Sequence, residues 1–209
     1  MLEIWFIRHA ETDWNAQARW QGHSDPDLSP RGQEQCRRLA ARLAPVAFDA
    51  VYSSDLARAR STASLALPHQ PALLDSRLRE LHMGLLEGNT WEELAPQVRA
   101  EAEAFWGDPF GRRLPGGEGL ADLSRRLQSW MAELPRAGRV AAFTHGGVIR
   151  CALWSLTGPP RGRPQPVVLD NTSITRLGYG PGGPVLRALN DTSHLADLPA
   201  DQGPWTRIR

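Results

Sequence analysis

The chain contains no lysine, and all 24 of its basic residues are arginine. That absence removes every mechanism that needs a lysine, among them a lysine-bearing phosphate loop and a Schiff base. Cysteine is nearly absent as well, with two in 209 residues. Cys36 and Cys151 stand far apart, without the close spacing of a zinc or redox motif, and read as small buried hydrophobes of a reduced protein. No segment approaches the ~20 apolar residues of a membrane span. There is no internal repeat and no long low-complexity tract. A formal net charge of +1 gives no bulk attraction to nucleic acid or to an anionic membrane. The first residues read as a strand rather than a basic leader with an apolar stretch. The expectation is a cytoplasmic protein with no nucleic-acid and no membrane partner.

What is present is enough apolar matter, 41% of the residues, for one substantial core. A single domain over residues 1–209 is therefore expected. Residues 2–7 are a dense apolar run suited to a buried strand, and residues 10–28 read as a long polar loop. Ser29 and Pro30 form a helix start, after which Cys36, Leu39, Ala40 and Leu43 make an apolar face that Pro45 ends. Strand 50–53, helix 55–67 and an extended segment over 71–78 follow. A helix is predicted over 91–106, with Pro96 dividing it near its start, and another after Pro115-Gly116-Gly117-Glu118. Then come strand 140–144, helix 148–156, a surface loop over 157–166, strands 167–169 and 173–177, and a hairpin partner over 185–189. Strands alternating with amphipathic helices predict a three-layer α/β/α sandwich, with a mostly parallel central sheet and an antiparallel edge.

Two of these strands run into histidines. Residues 5–7 lead into Arg8-His9-Ala10-Glu11-Thr12, and residues 139–144 lead into His145-Gly146-Gly147. The C-terminal ends of strands are where α/β sheets usually carry their chemistry. A neutral imidazole can attack phosphorus, and arginine forks can neutralise the oxygens of a transferring phosphoryl group.

The pattern resembles the histidine phosphatase superfamily, also called phosphoglycerate mutase-like, over nearly the whole chain. Arg8-His9-Ala10-Glu11-Thr12, continued by Trp14-Asn15, is similar to the signature Arg-His-Gly/Ala-Glu-Thr. The run Ser53-Ser54-Asp55-Leu56-Ala57-Arg58-Ala59-Arg60-Ser61-Thr62-Ala63 resembles the second block. Arg79-Glu80-Leu81-His82-Met83-Gly84-Leu85-Leu86-Glu87-Gly88 resembles the block carrying the proton donor, although Leu86 stands where the family often has tryptophan. Thr144-His145-Gly146-Gly147 resembles the last block. The resemblance implies that His9 is the phosphate-accepting nucleophile and Glu80 the proton donor. Arg8, Arg58, His145 and Asn15 are then implied to bind the phosphoryl group.

Arg60, two positions after Arg58, falls on another helix face and reads as a solvated cation, while Thr62 shares the face of Arg58. Glu87 reads as structural, and Asp170-Asn171-Thr172-Ser173 as a turn. His69, His82 and His194 carry no comparable support. Candidates for contacting the rest of the substrate are His23 in the first loop, Trp106 and Phe110 as an apolar wall, and Arg112 and Arg113. The arginine pair also reads as solvated. No metal and no cofactor are expected, because the acidic residues form no recognisable divalent-ion cluster.

Phosphohistidine can pass its phosphoryl group to water or to a bound phosphoglycerate. Family mutases tend to carry an insert, with basic residues for the substrate carboxylate, between the acid block and the last histidine. The corresponding interval here, residues 92–140, is compact. The resemblance thus implies a small phosphatase, similar to alpha-ribazole phosphatase or to broad-specificity members, acting on a small phosphorylated metabolite as a monomer or homodimer. The alternatives are a cofactor-dependent phosphoglycerate mutase and a phospho-ligand binding module without turnover. The stretch over residues 190–209 matches no motif.

Overall fold

A computed structural model describes residues 1–159, 162–163 and 167–198. Strand β1 (Leu2–Arg8) opens the chain. It is followed by a one-turn helix α1 (Asp13–Ala16), then α2 (Pro30–Leu43), β2 (Ala50–Ser53), α3 (Ala57–Ala66) and the two-residue β3 (Leu73–Leu74). Short 3₁₀ turns at Ser76–Leu78 and Gly84–Leu86 lead to α4 (Pro96–Gly107) and α5 (Leu120–Ala132). Strand β4 (Gly138–Thr144), helix α6 (Gly146–Thr157), the hairpin β5 (Ile174–Gly180) and β6 (Gly183–Asp191), and a 3₁₀ turn at Ser193–Leu195 complete the order.

The strands form one sheet in the order β3-β2-β4-β1-β5-β6. The pairs β3·β2, β2·β4 and β4·β1 are parallel, whereas β5 and β6 add antiparallel strands at one edge. Alternation along the strands supplies both faces. Ile4, Phe6, Val140 and Ala142 join the larger core with Leu123, Leu127, Trp130 and Val148 of α5 and α6. Trp5, Ile7, Ala141 and Phe143 point the other way, onto Leu39 and Leu43 of α2 and Ala63 and Ala66 of α3. This is the three-layer α/β/α sandwich predicted from the sequence, with a mostly parallel sheet.

Several boundaries move, each for a local reason. Residues 167–169 form no strand; the carbonyls of Val167 and Leu169 accept from the guanidinium groups of Arg150 and Arg8. The helix expected from residue 91 begins at Pro96, whose ring suits the first turn and whose missing N–H costs nothing there. The segment read as a pure loop contains α1, closed by a capping box in which Thr12 Oγ1 accepts from the Asn15 N–H and Asn15 Oδ1 accepts from the Thr12 N–H. Only residues 73–74 of the extended 71–78 segment pair with the sheet. Ser29 caps α2 as expected, accepting from Gly32 N at 3.0 Å. Both cysteines are buried and free. Of the loop over 157–166, residues 160–161 and 164–166 lie outside the described residues, as do residues 199–209. Among the described residues, no helix is long and apolar enough to cross a membrane.

Candidate active site

The C-terminal end of β1 is fixed from several sides. His9 N donates to Thr144 O at 2.8 Å, which couples it to the end of β4. Asn171 Nδ2 donates to His9 O at 2.8 Å, and Thr172 N donates to the carbonyls of Arg8 and His9 at 3.1 and 3.3 Å. On the α3 side Thr62 Oγ1 accepts from Ala10 N at 2.9 Å while donating to Arg58 O at 2.7 Å. Thr62 therefore braces the loop after His9 against α3. The Asp170–Ser173 run is a turn, as its sequence suggests, and also a support under His9, which the sequence signal did not distinguish.

His9 Nδ1 lies 2.7 Å from the carbonyl of Ala10. A carbonyl can only accept, so Nδ1 carries the hydrogen and Nε2 presents its lone pair. Burial, then the charges of Arg58 and Arg8, hold the His9 imidazole well below its ordinary range. The ring of His145 stands 5.2 Å away, centroid to centroid. It is fully buried and held low by burial, then by Arg58 and His9. His145 Nε2 lies 2.9 Å from Ser54 Oγ. His145 Nδ1 is buried with no hydrogen-bond partner among the described residues.

Arg58 comes from the first turn of α3 and is 1% exposed. Its Nη1 and Nη2 donate to the carbonyls of Ser24 and Gly22 at 2.7 and 2.8 Å, and its buried Nε has no partner among the described residues. Burial pushes its guanidinium down to about 10. Arg8, also buried, donates through Nη1 to Leu169 O. Arg60, by contrast, is exposed, as its helical phase predicts.

Glu80 approaches from the segment after β3. Its Oε1 accepts from Leu81 N at 2.9 Å and from Gly147 N at 3.0 Å, while Oε2 lies 3.1 Å from Gly147 N. The carboxyl group thus sits on the N-terminal turn of α6, held there by backbone N–H groups. A Cβ on Gly147 would fall 2.2 Å from Glu80 Oε1, so the Glu80 carboxyl group occupies the space that a side chain there would take. Glu87 is structural, as expected. It accepts from the N–H groups of His23, Ser24 and Met83 at 2.9, 3.0 and 3.0 Å and fastens the 22–24 loop. Gly22, at φ +51°, leaves room for it.

The remaining predicted residues are placed unevenly. Asn15 is buried in α1, where its Oδ1 serves the cap at Thr12. His23 is half-buried, with Nε2 on the backbone carbonyl of Glu80 at 2.9 Å and its ring 4.8 Å from that of His82. Trp106 stacks on Trp20 at 6.1 Å, and Phe110 meets Trp154 edge-on at 5.3 Å; both pack against the larger core. Arg112 and Arg113 are exposed, and Arg113 is turned toward Asp122 at 3.2 Å. Among the described residues no group of three or more His, Cys, Asp or Glu side chains is placed to hold a metal ion.

Two imidazoles, two buried guanidinium groups and one carboxylate thus converge at one edge of a parallel sheet, an arrangement suited to phosphoryl transfer through nitrogen. The chain belongs to the histidine phosphatase superfamily (branch 1), which it matches over residues 4–192. Its reaction is accordingly metal-independent phosphomonoester hydrolysis of the histidine phosphatase type, on a small phosphorylated substrate. It is 35% identical over 210 residues to the probable phosphoglycerate mutase GpmB of Escherichia fergusonii, covering 96% of this chain and 97% of that one. Among solved structures it resembles Bacillus stearothermophilus YhfR at 28% identity and a TM-score of 0.86, over 93% of this chain and all of that one. It also resembles a putative alpha-ribazole-5'-P phosphatase from Escherichia coli, at 27% identity and a TM-score of 0.80, over 91% and 96% of the two chains.

Proposed function

We propose that His9 Nε2 is the nucleophile of a two-step phosphatase and that Glu80 serves both steps as acid and base. The observation that carries this reading is the hydrogen bond from His9 Nδ1 to Ala10 O, because it leaves the lone pair on Nε2 of a ring that neighbours His145 and feels the charges of two buried arginines. In the first step the bond from Nε2 to phosphorus forms while the ester P–O bond breaks, and protonated Glu80 gives its proton to the departing oxygen. In the second, Glu80 as carboxylate takes a proton from water as the water oxygen attacks phosphorus. The N–P bond then breaks, phosphate leaves, and the Nε2 lone pair is restored.

Arg8 and Arg58 neutralise charge on the non-bridging oxygens, and the neutral ring of His145 donates a hydrogen bond to them. If Ser54 Oγ–H donates to His145 Nε2, then Nδ1 carries the hydrogen and serves as a donor to phosphate; Arg58 Nε supplies another. Asn15 completes the ring through its amide nitrogen, since its oxygen is used in the cap. His23, beside the Glu80 backbone, is the substrate-facing candidate best supported by its position. Trp106, Phe110, Arg112 and Arg113 have weaker support, being packed into the core or exposed. Two buried free thiols suit a reducing, cytoplasmic setting.

The substrate is a small phosphomonoester, with the alpha-ribazole phosphate type supported by the likeness to the Escherichia coli protein. Phosphoglycerate mutase activity is the second reading, favoured by the name of the Escherichia fergusonii relative. The test is metal-free turnover of a panel of phosphomonoesters, including 3-phosphoglycerate and alpha-ribazole phosphate, by wild type and His9→Ala. Phosphate release falling about 10³-fold or more in the variant is expected. Transfer from 2,3-bisphosphoglycerate to 3-phosphoglycerate with little net release would instead favour the mutase reading. No turnover of any ester would remove the phosphatase reading.

A further inference from the structure

The geometry points to Arg126, on the face of α5 turned toward the acid-bearing segment, as the positioning residue of Glu80. Its guanidinium gathers the carbonyls that precede the acid. Nη1 donates to Arg77 O at 2.7 Å and Arg79 O at 2.5 Å, and Nη2 donates to Glu80 O at 2.7 Å. The same group is paired with Glu118, Nη2 to Oε2 at 3.1 Å and Nε to Oε1 at 3.3 Å. Glu118 Oε2 in turn accepts from His82 N at 2.9 Å, on the far side of Glu80. Arg126 and Glu118 together therefore hold the chain on both sides of the acid, at residues 77, 79, 80 and 82.

This stretch has reason to need such a clamp. After Ser76–Leu78 the chain leaves regular structure until Gly84, so the carbonyls of Arg79 and Glu80 have no strand or helix ladder to enter. A guanidinium, with five donors in a rigid fork, can serve several of them at once, whereas an ammonium on a flexible stem cannot hold the same geometry. His23 Nε2 adds a second donor to Glu80 O at 2.9 Å. At its other end the Glu80 carboxylate is set by the N–H groups of Leu81 and Gly147. The acid is thereby held by its backbone from α5 and by its carboxylate from α6. Arg126 spends its donors on these carbonyls and on Glu118, and acts through the placement of Glu80.

The inference rests on Glu80 being the proton donor, and leaving-group chemistry separates the two claims. An alkyl phosphate needs its departing oxygen protonated, whereas p-nitrophenyl phosphate releases a stabilised phenolate and depends little on an acid. Single-turnover release of glycerol from glycerol phosphate and of p-nitrophenol from p-nitrophenyl phosphate is compared for the full chain, Glu80→Gln, Arg126→Gln and Arg126→Lys. Arg126→Gln is expected to slow the alkyl ester about 10²-fold and the aryl ester less than about 3-fold, with Arg126→Lys recovering part of the loss. Equal slowing of both esters by Arg126→Gln, or no slowing of either, overturns the assignment while leaving Glu80 in place. If Arg126→Gln fails to fold, Arg126→Lys carries the same comparison: a loss confined to the alkyl ester supports the assignment, and an equal loss on both overturns it. Glu80→Gln slowing both esters alike would remove Glu80 as the acid, and this inference with it.

Discussion

Four of the histidines sit where burial works against a charged ring. His9 and His145 are held well below the ordinary imidazole range by burial and then by neighbouring positive charge, and His23 and His194 are lowered first by burial. Such a ring takes up its proton more readily in the unfolded chain than in the folded one. As pH falls through ~6.5 the unfolded state therefore binds more protons, and stability that is fully present above that pH is progressively lost. The loss continues until each folded-state value is passed. Each buried neutral imidazole contributes a slope of up to ~1.4 kcal/mol per pH unit within its window. Urea unfolding of the protein at pH 7.5, 6.5 and 5.5 is expected to give a clear fall between the last two values. A flat response there would mean that the rings of His9 and His145 are not neutral in the folded protein.

At the scale of elements, the N-terminal turn of α6 is built around Glu80, the proposed acid. Gly147 leaves the space that Glu80 Oε1 occupies, and an added Cβ would stand 2.2 Å from that atom. The obstructing atom is the end of a flexible side chain, and alanine suits a helix better than glycine. Gly147→Ala is therefore expected to fold with stability within about 1 kcal/mol of wild type, while kcat for an alkyl phosphate falls about 10²-fold. Thermal unfolding and steady-state rates check both halves; an unchanged kcat would mean that Glu80 need not occupy this position.

The elements best legible in the sequence were those whose signals are local. The apolar runs of β1 and β4 ended in His9 and His145, and Ser29 with Pro30 marked the start of α2. The failures came where distant partners decide. Val167 and Leu169 look like strand residues, but their carbonyls serve Arg150 and Arg8 instead of a ladder. Asn15 matched a signature residue, yet its part in the α1 cap depends on Thr12 three positions earlier, in a segment too polar and broken to read as helix. Asn171 read as a turn former, and its bond to His9 O joins residues 162 positions apart. Arg126 lies on a helix with no motif, and its carbonyl partners become visible only when α5 packs beside residues 77–80. Long-range hydrogen bonds leave no period in a sequence.

For the whole molecule, strand order is what assembles the chemistry. The four parallel strands β3-β2-β4-β1 are neighbours, and each is followed by one block of the site. Glu80 follows β3, Ser54 and Arg58 follow β2, His145 follows β4, and Arg8 with His9 ends β1. Parallel neighbours bring their C-terminal ends to the same edge, so residues spread from position 8 to position 145 meet without any loop having to cross the sheet. The antiparallel hairpin beyond β1 adds support, through Asn171 and Thr172 just before β5.

This architecture is proposed to pass the phosphoryl group to His9 and then to water, two successive displacements at phosphorus. The most direct test follows the configuration of a phosphorothioate monoester made chiral at phosphorus with two oxygen isotopes, hydrolysed by the wild-type protein in water carrying the third isotope. Two in-line displacements each invert the centre, so inorganic thiophosphate with overall retention is predicted. Overall inversion would mean that water attacks the ester directly, and would contradict a phosphohistidine on the path.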